Sequence, residues 1–211
     1  MGISRAEIKA QAKEQLKGKV FKTFGVIFLV LILAGLCGGI FGAAMASAGR
    51  LATIVSLLYL AFMICVALPL GMGLIALFLS ITYGEEPSLE TVFSVFKKNY
   101  TDNIVVLLLM EIYICLWSLL FIIPGIVMAF AYSQAPFILL ENPGMKPSEA
   151  LRRSKEMMKG HKWEYFVLQL SFIPWSLLVS ITCGLAIIYV YPYMNVTFTN
   201  YYHRLKSTMT E

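Results

Sequence analysis

The chain has 211 residues, 59% of them apolar and only 14% charged, with a net charge of +5 and a mean hydropathy of +0.76. A soluble domain carries about 25% charged residues, and here charges are missing altogether from residues 23–49, 51–84, 112–140 and 165–202. Such runs exclude a water-solvated globule, and their lack of alternation excludes barrel strands. A hydrocarbon core of roughly 30 Å takes ~20 helical residues, so the chain is expected to be an all-α, polytopic helical membrane protein of about six spans. The spans are expected as three hairpins, each preceded by a cytoplasmic-side amphipathic helix.

Residues 1–22 are the first of these surface helices. Ser4 and Glu7 form an S-x-x-E capping box, and Ile8, Ala12, Leu16 and Val20 follow on one apolar ridge. Hairpin 1 covers 23–84, with a first span at 23–49 and a second at 51–83. The second is too long to stand straight, and Pro69, Gly71 and Gly73 mark the expected kink. Ala46-Ser47-Ala48 resembles a leader cleavage site, but the charged stretch of some 20 residues and the long apolar run before it favour a retained helix. In that helix Gly35, Gly39 and Ala43, and Gly38, Gly42 and Ala46, recur every four residues. Small residues let helices approach closely, so this stripe is expected to pack on the second span, with a homo-oligomer contact as its other use.

Residues 87–100 form the second surface helix, opened by Pro87-Ser88 and carrying Leu89, Val92, Phe93, Phe96 and Tyr100 on one face. Hairpin 2 spans 103–140 and is expected to turn at Ile123-Pro124-Gly125. Residues 147–161 repeat the pattern with Pro147-Ser148, a face of Leu151, Ser154, Met157 and Met158, and Arg152, Arg153, Lys155 and Lys159 turned elsewhere. Hairpin 3 spans 163–202 with a turn at Thr182-Cys183-Gly184, and 203–211 is a tail. The unit recurs in one orientation, as a parallel rather than an inverted repeat.

Basic residues accumulate on the cytoplasmic side of short loops. Six spans with both termini inside place there Arg5, Lys9, Lys13, Lys17, Lys19 and Lys22, Lys97 and Lys98, Lys146, Arg152, Arg153, Lys155, Lys159 and Lys162, and Arg204 and Lys206. Arg50 alone falls outside. The surface helices are expected to lie flat with their ridges in the headgroup boundary and Arg152, Arg153, Lys155 and Lys159 toward anionic lipid of the bilayer. No nucleic-acid-binding module is present in the sequence, and the positive-inside bias already accounts for the charge.

Glu111 is the single acid within an expected span, with Gln134 and Asn195 at similar depth and Gln169 shallower. An intramembrane acid is a functional candidate by default. Two uses are open: a small polar site for a proton, headgroup or solute, or hydrogen-bonded glue between helices. Cys37, Cys65, Cys115 and Cys183 lie in apolar tracts without metal-ligand spacing and are expected to be buried free thiols. Asn195-Val196-Thr197 matches a glycosylation sequon but falls in an apolar tract, and is taken as chance. Trp117, Trp163, Trp175, Tyr100, Tyr193, Tyr201 and Tyr202 are expected to anchor and pack, and His161 and His203, outside the spans, to be headgroup-level or solvated. No metalloprotease, serine hydrolase or phosphate-loop motif occurs, so neither catalytic residues nor a cofactor is expected.

Ala131-Tyr132-Ser133-Gln134-Ala135-Pro136, Glu141-Asn142-Pro143, Ser148-Glu149-Ala150, Ser154 and Met157-Met158-Lys159-Gly160-His161-Lys162 are similar to the bacterial integral membrane proteins grouped as domain of unknown function 975. Ala12-Lys13-Glu14-Gln15-Leu16-Lys17-Gly18 extends the similarity toward the start, where Val20 stands in place of an aromatic residue. The resemblance implies a bacterial plasma-membrane location and no assigned activity. The expected role is a non-enzymatic membrane protein whose surface helices engage lipid or a partner. The alternative is a small transporter, channel or lipid-handling protein with a polar site around Glu111.

Overall fold

The computed structural model describes residues 4–47 and 49–210, and Ala48 of the Ala46-Ser47-Ala48 tripeptide lies outside the described residues. The described chain is helical, with no strand. Helices follow in the order α1 (Arg5–Leu16), α2 (Val20–Ser47), α3 (Ala52–Phe62), α4 (Leu68–Thr82), α5 (Leu89–Lys97), α6 (Tyr100–Leu120), α7 (Ile122–Tyr132), α8 (Ala135–Glu141), α9 (Pro147–Met157), α10 (Lys162–Leu170), α11 (Ile173–Ile181) and α12 (Ile187–Thr210). Among the described residues, five helical stretches are long and apolar enough to cross a membrane: Val20–Ser47, Gly49–Thr82, Tyr100–Leu120, Ile122–Glu141 and Lys162–Ile181. Helix α12 has the length, but Tyr, Asn and Thr lower its hydropathy. Those residues face the interior: Tyr193, Thr197, Thr199, Asn200, Tyr201 and Tyr202 are buried, and α12 packs against α1, α2, α4, α9 and α11.

Helices begin and end where local chemistry dictates. Ser4 accepts the Glu7 N–H at 3.5 Å and Ser88 accepts the Thr91 N–H at 3.2 Å, as N-caps of α1 and α5. Pro69 removes the donor that the Cys65 carbonyl would use one turn earlier. The helix there widens into a π-turn at Met63–Ala67, and the Tyr100 hydroxyl donates to the Cys65 oxygen at 2.6 Å. Tyr100 is therefore the first residue of α6, separated from α5 by Asn99 in left-handed conformation, rather than the last of the second surface helix.

Between α6 and α7 the chain reverses through Phe121, one extended residue ahead of Ile123-Pro124-Gly125. Gly125 makes this tight hairpin fit, since a Cβ there would stand 2.0 Å from the Ser118 hydroxyl oxygen. Gly73 does the same for α4 and α5: its Cβ would lie 2.2 Å from the Val92 carbonyl oxygen, so the residue serves a close crossing. The third reversal falls at Thr182-Cys183-Gly184, where Cys183 and Gly184 have positive φ.

The packed core occupies one end of the bundle, from Val26, Ile27 and Val30 of α2 through Leu70–Ile81 of α4 and Met128–Leu139 of α7 and α8 to Tyr193–Leu205 of α12. Toward the other end the hairpins expose Leu36, Ile40, Leu57, Leu119, Ile123 and Ile181. An apolar belt of this extent is far beyond what a water-soluble surface carries.

Three expectations change here. The ridge Ile8, Ala12 and Leu16 is buried, with α1 packed on α12 rather than turned to headgroups; Leu151, Ser154 and Met157 of α9 are likewise covered by protein, whereas the face of α5 is covered only at Val92, beside Val95, and leaves Leu89 and Phe93 exposed. The stripe Gly35, Gly38, Gly39 and Gly42 does not pack on the second span, because a Cβ at any of them would meet nothing within 4 Å. The neighbouring helices instead meet through Phe41, whose ring lies 5.4 Å from both Tyr59 and Phe62. The cysteines are free, but Cys65, Cys115 and Cys183 are exposed and Cys37 half-buried, on the apolar exterior.

Candidate functional site at the base of the bundle

The charged ends of α4, α8 and α12 meet around one carboxylate. Glu141, the last residue of α8, has a side chain only 8% exposed and accepts hydrogen bonds from Tyr83, from Tyr202 at 2.5 Å and from Lys206 Nζ at 2.6 Å. Tyr202 and Lys206 stand four residues apart on α12, so one helical face supplies both donors. Phe137 stacks on Tyr202 with centroids 5.2 Å apart and fixes its ring. A carboxylate held by two phenols and an ammonium is a charge-compensated clamp. It joins three segments far apart in the chain.

Beside the clamp, His203 Nε2 lies 2.8 Å from the Thr82 hydroxyl, and the imidazole is edge-on to Tyr83. Thr82 Oγ1 also lies 2.7 Å from the Leu79 carbonyl, which can only accept, so when Thr82 donates there the His203 Nε2–H is the donor to Thr82. Burial lowers the His203 pKa, with Glu141 pulling it up and Lys206 pushing it down. The polar chain continues through Gln15, which donates to Thr82 O at 3.2 Å and accepts from Asn200 at 2.8 Å. Two clefts flank this base. One of about 220 Å³ is lined by Ser80, Tyr83, Lys98, Asn103 and Leu139, and one of about 190 Å³ by Ile138, Asn142, Arg153, Met157, Tyr202 and Lys206.

A second polar cluster seals the break between α7 and α8. The fully buried Ser154 of α9 donates to Ala131 O at 2.8 Å and accepts the Gln134 N–H at 3.1 Å, replacing backbone bonds that the break removes. Gln134 Nε2 donates to Ser133 at 2.8 Å.

Glu111, Gln134 and Asn195 are not brought together by hydrogen bonds. Glu111 is exposed on α6 with no hydrogen-bonded partner among the described residues, Gln134 is buried beside Ser154, and Asn195 donates to Tyr191 O in its own helix at 2.9 Å. Gln169 is half-buried on α10 and is not hydrogen-bonded to the other three among the described residues. Among the basic residues on and just after α9, Arg153 and Arg152 pair with Glu149 and Glu156, whereas Lys155 and Lys159 are exposed and have no ion pair among the described residues. His203 is half-buried against Thr82 and Tyr83, and Tyr201 and Tyr202 do the packing part of their expected role, in the core. Glu141 was missed as a site residue although its signals were present: an acid closing an apolar tract, and Tyr202 and Lys206 at helical spacing.

No curated protein and no solved structure matches the chain. A family match covers residues 1–131 and 120–209, and the chain therefore belongs to the family described as Protein of unknown function (DUF975).

Proposed function

We propose that this is a multi-pass protein of the bacterial plasma membrane, with residues 187–202 of α12 as its sixth span and both termini cytoplasmic. It works without catalysis or a cofactor, engaging anionic lipid through the charged faces of its cytoplasmic-side helices. The observation that carries this reading is that the apolar ridges of α1 and α9 are spent on intramolecular packing, while α5 buries Val92 and Val95 and leaves Leu89 and Phe93 exposed, so α1 and α9 offer the outside their cations. On and just after α9 these are Arg152, Lys155 and Lys159, all exposed. Each basic residue near an anionic surface contributes about 1 kcal/mol. The clamp at Glu141 supports a structural base, because its carboxylate is satisfied by three donors. Glu111 lines none of the clefts at the base and faces outward from α6, which favours this reading over a polar transport path.

Reconstitution in nanodiscs with and without phosphatidylglycerol tests the proposal. The anionic lipid is expected to raise the melting temperature, and Arg152→Gln/Lys155→Gln/Lys159→Gln to remove most of that rise. Equal melting in both lipids overturns lipid engagement. A periplasm-only reporter active at the carboxyl terminus overturns the orientation.

A further inference from the structure

Helix α1 crosses α12 with its two edges at different heights. On one edge Gln15 bonds Asn200. On the other, Lys9 Nζ lies 4.6 Å from the Phe172 ring centroid and 3.4 Å from Ser171 O, and Lys13 Nζ lies 5.9 Å from the Tyr193 centroid. Tyr193 precedes Asn200 by about 10 Å of helix, so the lysine edge faces away from the charged end of α12 and toward its apolar length. Arg5 precedes Lys9 by one turn and shares this edge. Among the described residues none of the three cations has a carboxylate within ion-pairing distance, and Glu7, on the far side of α1, is held by Arg204 at 2.8 Å. A shallow, open surface depression bounded by Ser4, Arg5, Ala6, Lys9 and Ser171 adjoins them.

We propose that Arg5, Lys9 and Lys13 bind the phosphate of one anionic glycerophospholipid, whose acyl chains run along the apolar surface beginning at Leu170 and Ile173. This deepens the proposed lipid engagement and rests on it, while naming residues outside α9. Three like charges gathered without a counter-ion are repulsive unless an anion joins them. The Lys9 pKa is lowered, first by burial and then by the charges of Arg5 and Lys13, which is the burden a phosphate relieves. Leu170 and Ile173 are 42% and 52% exposed on either side of Ser171-Phe172, and this apolar wall suits a lipid rather than free phosphate.

The full-length protein in mild detergent is titrated with dioleoyl phosphatidylglycerol, dioleoyl phosphatidylcholine or sn-glycerol 3-phosphate, and adducts are followed by native mass spectrometry. One saturable phosphatidylglycerol adduct is expected, weakened about tenfold or more by Lys9→Gln/Lys13→Gln. Arg5→Gln/Lys13→Gln, which changes only exposed side chains, should weaken it comparably and guards against misfolding of the first variant. Arg152→Gln/Lys155→Gln/Lys159→Gln should leave the adduct intact. Retention of the two lipids alike, or an unchanged adduct in both α1 variants, overturns the site; competition by sn-glycerol 3-phosphate at equal concentration overturns the assignment to lipid. Because the broader reading is judged by nanodisc melting of the α9 variant, the adduct can fail while that reading stands, and the reverse.

Discussion

Ser154→Ala tests whether α9 is a structural plug for the α7–α8 break. The substitution deletes a hydroxyl that serves two buried backbone groups, the Gln134 N–H and the Ala131 carbonyl. A buried polar group left without its partner costs about 1–3 kcal/mol. Hydrogen bonds between membrane helices average only ~0.6 kcal/mol, because the separated helices find other partners. That discount does not apply here: the groups belong to a break flanked by Pro136 and fixed between two short helices, so they cannot re-pair by continuing either helix. The expected loss is therefore about 2–4 kcal/mol. Equilibrium unfolding in mixed micelles, followed by the fluorescence of Trp175 against Tyr193, measures it. Ser94→Ala is the control, since Ser94 Oγ bonds only Thr91 O one turn back and its loss should cost less than about 0.5 kcal/mol. If Ser154→Ala unfolds like Ser94→Ala, the plug is not holding the break.

Gly73→Ala should destabilise more than Gly125→Ala, because the added methyl meets the Val92 backbone in the first case and mainly the Ser118 side chain in the second; detergent melting curves rank the two. Gly38→Ala and Gly42→Ala should be neutral or stabilising by up to about 1 kcal/mol each, and a loss of stability in the same melting assay would show that something outside the chain covers that stripe. Tyr100→Phe leaves the Cys65 carbonyl without its hydroxyl donor and should cost about 1 kcal/mol, read as a lowered unfolding midpoint with α6 still helical by circular dichroism. The folded His203 pKa lies below its ordinary 6.5, so the fold binds its proton less readily than the unfolded chain does. Its stabilisation is complete above about pH 6.5 and lost as pH falls through the folded value; His203→Gln should flatten the melting-temperature profile in that window.

Apolar length and turn chemistry carry most of what the sequence reveals about the fold. Charge-free tracts mark the long helices, and Ile123-Pro124-Gly125 and Thr182-Cys183-Gly184 stand at or beside their reversals. Periodicity also reveals that Ile8, Ala12 and Leu16 share a ridge, but the ridge does not say whether lipid or protein lies against it. Ala12 held the clue, since a small residue at the centre of an apolar face admits a neighbouring helix; here that helix is α12. The same limit affects α12 itself, whose Tyr, Asn and Thr side chains lower its hydropathy because other helices, rather than lipid, surround them.

The polar residues show why depth alone does not locate a site. Counting along helices places Glu111, Gln134 and Asn195 at similar heights, but height is only one coordinate, and the direction in which each side chain leaves its helix decides what it meets. The core-facing side of α6 runs through Asn103, Val106, Met110 and Ile114. Glu111 follows Met110 by one residue, about 100° further round the helix, and its carboxyl leaves on the exposed side. Glu141 has no such handicap, yet its partners Tyr83, Tyr202 and Lys206 lie 58, 61 and 65 residues away and produce no local spacing. What brings them together is the convergence of α4, α8 and α12 at the charged end of the bundle. A clamp of this kind is a product of tertiary packing, so the sequence shows its components while only the fold shows that they form one unit.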